Sequence, residues 1–123
     1  MARGLLCLLV AATIVWAGAR ASLVQRASHR ATEKRNPFES SDPARRAGAK
    51  LYARECAACH GEDREGRKGV PPLKQPEVFQ TSPGTLFWIL RNGDMFHGMP
   101  SFAHVPDAQK WQIITYLQGK PGQ

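Results

Sequence analysis

The chain has 123 residues, enough for one small domain, and a hydrophobic content of 42%, ordinary for a globular protein. Its formal net charge is +7, yet no basic stripe interleaved with aromatics appears, which excludes a nucleic-acid-binding reading. Near the N-terminus, Arg3 is followed by an uncharged run from Gly4 to Ala19 and then by Ala19-Arg20-Ala21. One basic residue, an apolar stretch of about 15 residues and a small-x-small site make residues 1–21 a secretory signal peptide. The run is shorter than the roughly 20 residues of a full membrane span. Ile14, Val15 and Trp16 nevertheless carry the apolar segment almost to its end, so a retained N-terminal anchor, tethering the protein through residues 4–19, is the alternative. Residues 22–41 read as a basic flexible linker, with Arg26, Arg30, Lys34 and Arg35 against Glu33 and Glu39 and few large apolar side chains. From Asp42 to the C-terminus there are 11 Lys plus Arg and 8 Asp plus Glu, so much of the excess charge lies outside the expected domain, residues 42–119.

That domain reads as all-α. A first helix is predicted to start at Ser41-Asp42-Pro43, with Asp42 as N-cap and proline in the first turn. Gly48, Leu51, Tyr52 and Cys56 then recur every three or four residues and share one face. The helix is predicted to end at Gly61. Residues 61–80 are rich in charge, glycine and proline and read as loop. Ser82-Pro83 repeats the cap-then-proline signal before a short apolar helix over Thr85–Arg91, closed by Asn92-Gly93. A second loop, Asp94–Val105, leads to a last helix over Asp107–Gln118, ended by Gly119 and Pro121. No alternating strand pattern appears. Loops this long need something to pack against, and a covalently held cofactor supplies both apolar filling and a staple.

Residues 56–60, Cys56-Ala57-Ala58-Cys59-His60, state what that cofactor is. Cys-x-x-Cys-His is the attachment motif of a c-type haem. The two thiols add across the haem vinyl groups to give thioethers, and the adjacent neutral imidazole ligates the iron from one face. Three other readings are weaker. A thioredoxin-like pair expects a βαβ pattern. A structural zinc needs four ligands, whereas the remaining cysteine, Cys7, lies in the N-terminal apolar run. A disulfide across two residues is strained and closes almost no loop. An export signal is coherent with haem attachment, which takes place outside the bacterial cytoplasm.

The segment Arg91-Asn92-Gly93-Asp94-Met95-Phe96-His97-Gly98-Met99-Pro100-Ser101-Phe102 offers candidates for the other face of the iron. Together with the helices and the haem motif, it makes residues 42–118 resemble the small bacterial class I, single-haem cytochromes c. The resemblance implies a cytochrome c-like fold of three to four helices and long loops around one covalent haem c. It implies His60 as proximal iron ligand and Met99, in a Gly-Met-Pro-x-Phe loop, as distal ligand; Met95 and His97 are the competing candidates. Pro71 is implied as the carbonyl that accepts the Nδ1 proton of His60, with Pro72 leaving the register open, and Leu73 as a side chain against the haem. Gly48 and Tyr52 match the positions where the first helix crosses the last. Their partners there would be Ile113 and Tyr116, with Leu117 turned toward the haem.

The resemblance implies electron carriage rather than enzymatic turnover, because an iron ligated by protein on both faces has no vacancy for substrate. The expected protein is periplasmic, soluble or tethered to the inner membrane. It passes single electrons between redox partners such as a periplasmic dehydrogenase and a terminal oxidase, meeting them weakly and transiently. Two rival readings are a haem subunit of a dehydrogenase or oxidase complex, and a sensor or peroxidase with a labile sixth site.

Overall fold

A computed structural model describes residues 22–119, so the N-terminal apolar run expected as signal peptide or anchor lies outside the described residues. Six α-helices follow in order: α1 (His29–Thr32), α2 (Asp42–Glu55), α3 (Ala57–His60), α4 (Pro76–Gln80), α5 (Pro83–Asn92) and α6 (Asp107–Gln118). A single 3-10 turn, Met95–His97, lies between α5 and α6. There are no strands among the described residues, only two isolated bridges, Arg67 with Val70 and Asp94 with Met99. The fold is therefore all-α, as expected. The three longest helices are those foreseen, and three short ones raise the count beyond three to four.

Helix α2 opens one residue earlier than expected. Ser41 is the cap, its hydroxyl accepting the Ala44 N–H at 3.2 Å, while Asp42 occupies the first turn and bonds Arg45 at 2.7 Å. Its buried face is Ala44, Gly48, Leu51 and Tyr52. This face lies against α6, whose Ile113, Ile114 and Leu117 are all but inaccessible to solvent. Gly48 is what allows the approach: a Cβ there would overlap the Gln112 carbonyl oxygen and stand 2.9 Å from the Cβ of Tyr116. At Gly48 the nearest atoms are those of Gln112 and Tyr116, while Ile113 joins Tyr52 in the core cluster. One turn on, the Tyr52 and Tyr116 rings meet at 5.4 Å, tilted by 50°.

Helix α5 is built as its sequence indicates. Ser82 caps the Thr85 N–H at 3.2 Å, Pro83 takes the first turn, and Gly93 (φ 67°) ends it. Phe87 on its inner face stacks on Trp111 of α6 at 4.3 Å. Beside them Lys110 is buried; its ammonium donates to the Val105 carbonyl at 2.6 Å and meets Asp107 at 2.9 Å.

The clearest difference from the sequence reading concerns residues 22–41, expected as a flexible linker. This segment is packed on the helices instead. Ser28 caps α1, whose buried Ala31 faces α5 at Gly84; a Cβ on Gly84 would overlap the Ala31 carbonyl oxygen. Buried Asn36 donates to the Thr115 hydroxyl at 2.9 Å and the Trp111 carbonyl at 3.2 Å. The physical reason is that polar anchors and a distant glycine hold the segment, so it carries no apolar periodicity. Within the expected loop 61–80, a short helix also forms, α4, whose Val78 is buried in the core.

Candidate functional site

Cys56 ends α2, so the helix expected to run to Gly61 stops at the haem motif instead. The Cys56 backbone (φ −121°, ψ −34°) leaves helical geometry, and the chain restarts as α3, in which the N–H groups of Cys59 and His60 both bond the Cys56 carbonyl at 3.1 and 2.9 Å. This single turn presents both thiols and the imidazole from one short element. Cys56 is buried and Cys59 exposed, and both are free thiols. Before any covalent attachment, burial first, then the charges of Glu55 and Cys59, push the Cys56 thiol up to about 12. Among the described residues no three His, Cys, Asp or Glu side chains converge as a metal-ligand set.

The turn after α3 is fastened to α2 and α6. Gly61 (φ 87°) ends α3, and the Tyr52 hydroxyl donates to its carbonyl at 2.7 Å. Arg64 has φ 64°, a left-handed backbone unusual for a side chain of this size. Its guanidinium lies over the Tyr116 ring at 4.6 Å and reaches the carbonyls of Tyr116 and Leu117, each at 3.4 Å. The Arg64 carbonyl in turn accepts from the N–H groups of Leu73 and Lys74 at 2.9 and 3.3 Å. The loop is thereby folded back on α3, and His60 donates its Nδ1 proton to the carbonyl of Pro71, not Pro72, at 2.9 Å. That bond sets the tautomer and leaves the lone pair on Nε2.

The second half of the candidate site is the Met99 loop. Gly93 lets it fold against the end of α5: a Cβ there would stand 2.6 Å from the Pro100 carbonyl group and 2.7 Å from the Met99 oxygen. Asp94 and Met99 then exchange both backbone hydrogen bonds, at 2.8 and 3.0 Å, around the Met95–His97 turn. The three sixth-position candidates separate on burial. Met95 is 71% exposed, and His97 is also exposed, its Nδ1–H donating to Asp94 Oδ2 at 2.7 Å. Met99 is half-buried and packs against the core cluster that contains Cys56 and Leu117, as does Leu73. Four of the residues named from sequence, Cys56, Leu73, Met99 and Leu117, are thus brought to one apolar cluster.

Sequence reasoning missed three residues that shape the site. Arg64 looks like one more charge in a charged loop, and nothing in its neighbours marks it. Gly93 reads only as a helix end. Asp94 is nearly buried, with Arg26 from the N-terminal segment 3.0 Å from its Oδ1. Burial alone would raise the Asp94 carboxyl, but the Arg26 guanidinium and the His97 hydrogen bond outweigh it and hold the group below the usual carboxylate range.

Known proteins share this architecture. Over 82 residues the chain is 32% identical to a thiosulfate dehydrogenase of Allochromatium vinosum, a match covering 60% of this chain and 30% of that protein. Its fold matches the crystal structure of cytochrome CL from the marine methylotrophic bacterium Methylophaga aminisulfidivorans with a TM-score of 0.59 at 22% identity, over 68% of this chain and 57% of that one. The chain therefore spans less than two thirds of either relative, and the second likeness bears on the fold alone. The family model described as cytochrome c oxidase, cbb3-type, subunit III matches residues 43–117, well over half of the chain and all but the end residues of the helices α2 to α6 that build the site. The protein belongs to this cytochrome c family.

Proposed function

We propose that this protein is an exported, single-haem c-type cytochrome that carries one electron at a time between periplasmic or membrane redox partners. The observation that supports it most is the His60 Nδ1–H to Pro71 bond of 2.9 Å, which frees Nε2 on the same short helix as Cys56 and Cys59. The donor set suits a covalent haem: two thiols, one neutral imidazole, one thioether, and an apolar wall from Leu73 and Leu117. Cys56 and Cys59 would hold the group, His60 would ligate the iron on one face and Met99 on the other. When bound, haem supplies an iron that accepts and releases a single electron.

The chain's own residues do the rest. Pro71 keeps the His60 ring oriented and its distal nitrogen basic. Leu73, Leu117 and Met99 keep water from the metal side. A soft thioether opposite the imidazole raises the potential relative to two histidines. With protein on both faces of the iron no position is left for a substrate, which favours a carrier over an enzyme. A second reading, a haem subunit of an oxidoreductase complex, is favoured by the family description itself, an oxidase subunit. In that case the partner would be permanent and would co-purify in equal amount.

The oxidised protein is expected to show the weak methionine-to-iron charge-transfer band at the red end of its spectrum. Met99→His should retain covalent haem, lose the band and lower the midpoint potential in redox titration. A wild-type protein without the band that binds carbon monoxide rapidly when reduced would instead make it a ligand-binding haem protein. Intact mass of the purified protein reports haem addition and removal of residues 1–21 together.

A further inference from the structure

We propose that residues 22–38 act as a strap that holds the Met99 loop in place, with Arg26 and Asp94 as its positioning residues. The inference rests on the reading of Met99 as distal ligand. The strap is fixed to the body of the domain at three points. Asn36 is buried on Thr115 and Trp111 of α6. The Thr115 hydroxyl also lies 3.2 Å from the Phe38 carbonyl. Ala31 is seated on Gly84 of α5, so closely that the helix has room for no side chain there. From these anchors the chain runs back to Arg26, which reaches the base of the Met99 loop.

Arg26 grips the one residue that fixes the methionine backbone. Asp94 makes both backbone bonds to Met99, so its position is the position of that backbone. Its carboxylate is 10% exposed and held from two sides. His97, from within the turn, takes Oδ2 at 2.7 Å. Arg26, from outside it, lies 3.0 Å from Oδ1 as an ion pair rather than a formed hydrogen bond, and no donor among the described residues hydrogen-bonds that oxygen, so the Arg26 charge is what compensates it. Without Arg26 a nearly buried carboxylate oxygen has no counter-charge, and turning it toward water moves the residue that pairs with Met99. Few other contacts restrain the loop. The Phe102 N–H bonds the Leu90 carbonyl at 2.8 Å and the Ser101 hydroxyl bonds the Arg91 carbonyl at 2.6 Å, both on the far side of Met99 from the turn. The turn itself faces solvent, with Phe96 92% exposed.

A looser loop spends less time with the thioether on the iron, and an external ligand then binds more tightly by the same factor. The test uses the haem-loaded protein and imidazole as competitor, followed by the methionine-to-iron band. Arg26→Ala is expected to tighten imidazole binding to the oxidised protein on the order of tenfold and to weaken the band before imidazole is added. Arg26→Lys, which keeps the charge, should restore most of the wild-type behaviour. Arg30→Ala, on the same strap but exposed and not on Asp94, should change neither reading. Arg26 is 36% exposed, so its removal is compatible with folding; Asp94→Asn is the matching change on the other side and should move imidazole affinity in the same direction. If Arg26→Ala binds imidazole as the wild type does while the wild-type band is present, the strap is wrong and Met99 stands. A wild-type protein lacking the band overturns both.

Discussion

Replacing Gly48 by alanine tests whether the α2–α6 crossing carries the domain. The new Cβ would overlap the Gln112 carbonyl oxygen and sit 2.6 Å from its carbon and 2.9 Å from the Cβ of Tyr116. Two of these are backbone atoms, which no rotamer change can move, so the helices must part by about 1.4 Å to reach ordinary contact. Overpacking of this kind costs about 1–3 kcal/mol, and here the upper end applies. Alanine recovers roughly 1 kcal/mol through its better helix propensity. The net expectation is a loss of about 2 kcal/mol, or a fall in Tm on the order of 10 °C for a domain of this size. Thermal unfolding of the haem-loaded protein, followed by circular dichroism, reads it directly. A Gly48→Ala variant as stable as the wild type would refute the close crossing.

Buried polar groups give two further expected outcomes. Burial above all pushes the Tyr52 phenol up to about 12, above its unfolded value near 10. The neutral phenol's contribution is complete below pH 10 and is lost as pH rises toward 12, a total of at most about 3 kcal/mol. Urea unfolding at a series of pH values should therefore show wild-type stability falling across that window, and Tyr52→Phe falling less; parallel curves would contradict it. At Lys110, a change to Met should alter stability by less than about 1 kcal/mol, because the stem volume is kept. Lys110→Ala should cost about 2–3 kcal/mol. Equal losses in the two variants by urea unfolding would show that the charge, not the packed stem, does the holding.

Much of this molecule is legible in its sequence because the signals are local. The ends of α5 and α6 come from Ser82-Pro83, Gly93, Asp107 and Gly119, residues that act within one turn of themselves. The face Gly48-Leu51-Tyr52 is a periodicity of three and four, and it is buried. The cysteine pair and His60 are contiguous. The N-terminal segment reads as a linker because its anchors are Arg26, Ala31 and Asn36, and each finds its partner far away, in Asp94, Gly84 and Thr115. No periodicity announces an ion pair across 68 positions of chain. Short α4 reads as loop for a related reason: one buried side chain, Val78, and no side-chain hydrogen bond at its N-cap leave little pattern to see.

The two halves of the candidate site are held by different physics. His60 rests on a helix crossing, through Tyr52 to the Gly61 carbonyl and through Arg64 to the last turn of α6. Any motion of that half must disturb Tyr52, Ile113 and Ile114, the most buried part of the core. Met99 rests on one backbone bridge, a solvent-facing turn and a single buried carboxylate. Local opening follows contact density, so the methionine half has the lower opening free energy although both halves meet in the same apolar cluster. Charge pairing from Arg26 can restrain such an exposed loop without burying it. This is the physical reason for carrying the N-terminal segment across α5 rather than leaving it as a linker.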